Sequence, residues 1–390
     1  MLDQSVSSYF RITTNGSMRT YRSNLLGSRN KFNDAMIKVQ THRKFTSYGE
    51  DPVGASRAWQ LRRGMWRTSD QIGNVQMLQN FNQTAWIALD AICDGTDEQP
   101  GLNGFPDIKE ALNDPNAGGR KALGQSILSQ VDAIVSNMNI KYGDNYVFAG
   151  TDGLNAPFTW GEDGTLRFRG VDVSAEQMEV KTLEDFPVPN EPGKYDEAEF
   201  RKYQEKYKNS PYGLLEKYST EKIYVDIGMG MQEDENGEFI TSTGYNSSLC
   251  GINYLGFGLD EDGDSNNIVT LMKEAGEILS RCDAETGAFE NTDAVNGDRQ
   301  RLEVLFEKIH AKIADVSEAH VALTEDTAFL EKTELQLNER SDLLNEQREG
   351  IEGIDPADAI SEMLWANYCY QAALKIGNQV LSQSLLDYMN

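Results

Sequence analysis

An apolar residue stands at every seventh position from Leu302 through Ile309, Val316, Leu323, Leu330, Leu337 and Leu344 to Ile351. A repeat of seven held without a miss specifies a helix whose narrow seam lies against other helices. A helix of about 50 residues would be roughly 75 Å long, so it needs long partners to pack along. The N-terminal part of the chain supplies them. Met18, Leu25, Phe32 and Val39 also recur every seven residues, with Tyr21, Ser28 and Ala35 between them, which is the a/d pattern of a coiled coil. After an interruption from Gly49 to Gly54, an amphipathic stretch runs through Ala58, Leu61, Met65, Ile72, Val75, Trp86, Leu89 and Cys93 until Gly95 to Pro106 ends it. A third predicted helix covers about 117–141 through Leu123, Ile127, Val131, Ile134 and Met138, following the turn-rich Asn113-Asp114-Pro115.

The period then changes. Tyr146-Val147-Phe148 reads as a strand, and Phe158-Thr159-Trp160 faces Leu166-Arg167-Phe168 across Glu162-Asp163-Gly164 as a β-hairpin. Ile223-Tyr224-Val225 and the Asn236-Gly237 turn continue this pattern, interrupted by a predicted helix at about 196–208 with Phe200, Tyr203 and Tyr207 on one face. Beyond a break from Gly350 to Pro356, the residues Ile360, Leu364, Leu374, Leu381, Leu385 and Tyr388 resume a heptad-like stripe. The expected fold class is α+β, with a long α-helical coiled-coil or bundle rod made from both chain ends and one β-rich inserted domain. Residues 1–48 with 355–390 are expected to form terminal coiled-coil segments, 49–150 with 264–354 a helical rod domain, and 151–263 the β-rich outer domain.

A net charge of −26 repels phosphates over most approaches, so neither nucleic acid nor an anionic membrane is an expected partner. No apolar run reaches the roughly 18 residues of a membrane span, and the first residues lack a basic-then-apolar signal peptide. Cys93, Cys250, Cys282 and Cys369 are scattered, with no C-x-x-C pair and no neighbouring His, and read as buried free thiols. His42, His310 and His320 form no H-E-x-x-H pair. Asp260, Asp262 and Asp264 begin like a calcium loop, but Ser265 stands where the turn needs Gly and Leu271 where a bidentate Glu belongs, so a solvated turn is expected. Gly228-Met229-Gly230 lacks the third glycine of a dinucleotide site, and no G-x-S-x-G elbow is present. No cofactor, metal or catalytic residue is therefore assigned, and an enzyme is not expected.

Terminal heptads flanking a β-rich insert resemble the flagellin superfamily, and local motifs sharpen the likeness. Phe10-Arg11-Ile12-Thr13-Thr14-Asn15 with Tyr21 and Leu25 is similar to the family's opening, although about nine residues stand ahead of Phe10, where its members normally begin. Glu50-Asp51-Pro52-Val53-Gly54-Ala55-Ser56-Arg57 resembles its acidic-Asp-Pro-Val turn, and Pro52-Val53 favours the hook-filament junction branch (hook-associated protein 3) over flagellin proper. The stretch Phe45 to Gly49 departs from the family's usual Gly-containing basic segment. Asn145-Tyr146-Val147-Phe148-Ala149-Gly150-Thr151 with Pro157-Phe158, and Ser384-Leu385-Leu386-Asp387-Tyr388, resemble the outer-domain boundary and the C-terminal helix of that branch.

The resemblance implies a structural protein of the bacterial flagellum, a junction ring between hook and filament. Its implied partners are the hook-side junction protein (the first hook-associated protein), flagellin, further copies of itself, and a flagellar export chaperone on the C-terminal segment. It further implies an extracellular location reached through the flagellar type III apparatus without a cleaved signal. A flagellin filament subunit, and a surface adhesin whose 151–263 domain binds a ligand on a helical stalk, are the alternatives. A lone helix of about 30 residues with one narrow seam does not offset its ordering entropy in water. Each chain end is therefore expected to order only between copies, through Met18, Leu25, Phe32 and Val39 at one end and Leu374, Leu381, Leu385 and Tyr388 at the other.

Overall fold

The structure is a computed structural model, described for residues 14–45, 47–96, 99–107, 119–187, 195–283, 286–293 and 297–389. Its helices are α1 (Thr14–Thr41), α2 (Pro52–Cys93), α3 (Gly119–Met138), α4 (Glu197–Lys208), α5 (Pro211–Ser219), α6 (Gly251–Leu255), α7 (Ile268–Ser280), α8 (Asp298–Glu352) and α9 (Pro356–Met389). Four small antiparallel sheets among the described residues accompany them: β1 (Gly95–Thr96) with β2 (Gln99–Pro100), β3 (Lys141–Tyr142) with β4 (Asn145–Tyr146), a three-stranded sheet of β5 (Phe158–Trp160), β6 (Leu166–Phe168) and β7 (Val171–Asp172), and β8 (Tyr224–Val225) with β9 (Tyr245–Asn246). The chain divides into two compact units, one of residues 1–69 and 338–390, the other of 70–337.

In the unit of 70–337 the seven-residue repeat is the spine. Leu302, Ile309, Val316, Leu323, Leu330 and Leu337 are all buried, as a seam pressed against neighbouring helices requires. Leu302 to Leu323 join Ala85, Leu89 and Ile92 of α2 and Ile127, Val131 and Ile134 of α3 in one core. Leu330 and Leu337 join Val75, Leu78 and Ile227 in a second cluster. The β8–β9 region is tied to α2 by Asn82 Nδ2 donating to Tyr245 Oη at 3.1 Å and Asn74 Nδ2 donating to the Asp226 carbonyl at 3.0 Å. Helices α3 and α7 cross where each has a glycine. A Cβ on Gly124 would lie 2.5 Å from the Ser280 amide nitrogen, and one on Gly276 3.0 Å from the Leu128 side chain, so side chains there would push the helices apart.

The expected hairpin forms in the expected register, Phe158 opposite Phe168 and Trp160 opposite Leu166, with Gly164 at φ 77° in the turn. The Phe158 and Phe168 rings pack at 5.1 Å. The predicted helix at 196–208 is α4, started by Asp196, whose side chain accepts from the Ala198 and Glu199 amides. Other expectations are corrected. Tyr146 belongs to a strand, but Val147 and Phe148 are core residues beyond its end. The insert is a smaller β region than expected, because α4, α5 and α6 interrupt short strands that its dispersed glycines keep from lengthening. Helix α8 also runs through Gly350 to Glu352.

Candidate assembly interface

In the unit of residues 1–69 and 338–390, two Asp-Pro pairs fix where helices start. Asp51 Oδ1 accepts from the Gly54 amide at 2.9 Å and Asp355 Oδ1 from the Ala357 amide at 2.7 Å. Pro52 and Pro356 occupy first helical positions, where the missing N–H leaves nothing unsatisfied. The connections leading to these starts pair with each other. The Lys44 amide donates to the Glu352 carbonyl at 2.6 Å, and the Ile354 amide to the His42 carbonyl at 3.2 Å, on either side of an Arg43–Gly353 bridge.

Beneath this pairing lies an almost fully buried carboxylate. Glu352 has a side chain 3% exposed and is surrounded by Arg62, Arg348 at 3.5 Å and Arg43 at 3.8 Å. It ends α8, where the helix dipole disfavours an anion, and the three guanidiniums set positive charge against it there.

Helices α1 and α9 run antiparallel against each other. Lys38 Nζ bonds Glu362 Oε1 at 2.9 Å, the Phe32 and Tyr370 rings stack with centroids 6.2 Å apart, and Gly377 lies against the Tyr21 ring. On α1 the predicted residues Met18, Leu25, Phe32 and Val39 are half-buried, as are Tyr21 and Ser28, and Ala35 is buried. The opposing seam on α9 consists of Ala359, Ala366 and Ala373 at one heptad position and Met363, Tyr370 and Gly377 at another, all buried or half-buried. The missing side chain at Gly377 lets the Tyr21 ring lie close to the facing backbone.

The predicted C-terminal stripe is elsewhere on α9. Leu374 is 41% exposed, and Ile360, Leu364, Trp365, Tyr368 and Ile376 are exposed as well. Leu381, Leu385 and Tyr388 lie within the span of α9, but their side chains fall outside the described residues. The premise that each chain end lacks a partner in its own chain is thus corrected. The ends use one face of α9 to pair and leave its bulky apolar face open. The signal that could have shown this is the Ala/Gly heptad, which a search for large side chains passes over.

The acidic loop read as a solvated turn is instead clamped to α8 in the other unit. Lys308 Nζ lies 2.6, 3.0 and 2.5 Å from carboxylate oxygens of Asp260, Asp262 and Asp264, and Arg301 bridges Asp264 at 2.7 Å and Glu274 at 2.6 Å. Hydrogen bonding to Lys308 holds the Asp260 carboxyl below its usual pKa, and hydrogen bonding to Arg301 does the same for Asp264. Among the cysteines, burial pushes the Cys250 thiol up to about 12 and Cys93 up to about 11, which leaves both poor nucleophiles. Cys282 is buried too, whereas Cys369 is exposed on α9, against expectation. No described helix is long and apolar enough to cross a membrane.

A solved structure from Vibrio parahaemolyticus, provisionally named a flagellar hook-associated protein, superposes on 78% of this chain and 100% of its own length, with a TM-score of 0.51 at 12% sequence identity. The two chains share a fold. No family model and no curated protein matches this sequence.

Proposed function

We propose that this chain is a structural subunit of the bacterial flagellum that forms a ring between hook and filament. The observation that carries the reading is the fold shared along the whole of the hook-associated neighbour. The α1–α9 pair supports it, since it presents Ile360, Leu364, Trp365 and Tyr368 outward as a surface that a monomer has no use for. In this reading copies pack their paired ends side by side. Burial of the outer face of α9 then supplies the ordering energy that the marginal pair lacks alone.

The subunit leaves the cell through the flagellar type III apparatus with its C-terminal segment held by an export chaperone, and lies outside the cell between the hook-side junction protein and flagellin. Deleting it tests the role. Cells should keep their hooks, shed flagellin monomers into the medium and stop swimming; a deletion strain that swims normally overturns the proposal. A purified chain that builds long filaments by itself would point to a filament subunit instead.

A further inference from the structure

Charge is divided unevenly along this chain. Residues 1–69 hold twelve Lys and Arg against four Asp and Glu, although the whole carries a net −26. Residues 338–390, which complete the same unit, hold three against nine. Part of this opposition is satisfied internally, by Lys38 with Glu362 and by the three arginines on Glu352. The exposed surface also carries two distinct stripes.

On α2, Trp59, Arg63 and Trp66 follow i, i+4, i+7 spacing, with Gln60 and Arg67 beside them, and all are exposed. Trp59 and Trp66 are 55% and 65% exposed, and the Arg63 guanidinium lies 5.8 Å from the centre of the Trp59 ring. Residues 52–69 contain four arginines and no acid. Trp and Arg are the residue types that dominate interface energetics, and paired exposed indoles mark a surface meant to be covered. On α8, Glu339, Asp342, Leu343 and Glu346 share an exposed stripe at i, i+3, i+4 and i+7. One stripe is cationic and aromatic. The other is anionic with a leucine between its acids.

We propose that these stripes are the two halves of one contact between copies of this chain, the Trp59–Arg63–Trp66 stripe of one copy docking on the Glu339–Asp342–Leu343–Glu346 stripe of the next. The halves are different surfaces, so the contact is heterologous and, with a rotation that closes, joins successive copies into the ring proposed above. It lies apart from the outer face of α9 and adds a second, charge-steered line of association to the one proposed above. Opposed charges at its rim fix register and partner, while the indoles and Leu343 supply the apolar centre.

Sedimentation of the purified full chain tests this. Self-association is expected to weaken as salt rises from about 0.05 to 0.5 M, because exposed charge pairs are screened over that range. The pairs Arg63→Glu with Arg67→Glu, and Glu339→Lys with Glu346→Lys, should each weaken association on the order of tenfold or more. Mixing the two reversed proteins should restore it, which a misfolded variant could not do. Trp66→Ala should weaken it without removing the salt dependence. Leu364→Asp on α9 serves as the reference, altering the terminal contact alone, so failure of either surface is read separately. A wild-type chain that stays monomeric at low salt and high concentration, association indifferent to both reversals, or a mixture that does not recover, overturns the proposal.

Discussion

Lys308→Met removes the ammonium on which three aspartates converge while keeping the aliphatic stem. Asp262 is 76% exposed and contributes little, whereas Asp260 and Asp264 are 24% and 11% exposed and bond Lys308 at 2.6 and 2.5 Å. A charge-assisted hydrogen bond to a part-buried partner is worth about 1.5 kcal/mol net, so the two together put the loss near 3 kcal/mol. The assay is urea unfolding followed by far-ultraviolet circular dichroism, with Lys308→Arg as the charge-preserving control.

The effect carries a pH signature. The folded-state pKa values of Asp260 and Asp264 lie below the ordinary carboxylate value of about 3.9. Their stabilisation is therefore complete above that value and lost as pH falls through the depressed folded values. The wild type should exceed Lys308→Met in stability by the full amount at neutral pH, and by much less near pH 2. Equal stability at neutral pH, or a difference that does not shrink in acid, would refute the assignment of this loop as a lysine-clamped one.

Other outcomes follow from the packing. Leu330→Ala, at a fully buried seam position, should cost about 3 kcal/mol of unfolding free energy in denaturant titration. Glu352→Ala strands Arg43, Arg62 and Arg348 against one another and should cost about 3 kcal/mol, read as earlier proteolysis of the connections at 42–51 and 353–355; Glu352→Gln should lose less. In dilute monomer, amide exchange in α1 and α9 should be much faster than in α3 and α7, and should slow on assembly; equal protection in the monomer would refute the marginal pairing of the ends.

The heptad of α8 was legible because six consecutive seam residues needed only spacing to be found, and the 158–168 hairpin because its turn and aromatic pairs agree. What stayed hidden depends on residues far apart or on small ones. Arg62 and Glu352 are 290 positions apart, and Lys308 lies 44 from Asp264, so no local pattern announces either cluster. The α9 seam was missed for a different reason. Alanine and glycine contribute closeness instead of apolar area, whereas the large residues at Ile360, Leu364 and Leu374 that dominate the sequence pattern lie on the exposed face of the helix. The Gly124–Gly276 crossing hides in the same way.

Gold-labelled antibody against the purified chain, applied to flagella sheared from the parent cell and viewed by electron microscopy, tests the proposed place in the flagellum most directly. Label confined to one short band where the curved hook meets the filament is the predicted result. Label spread along the filament, or none on flagella at all, would contradict it.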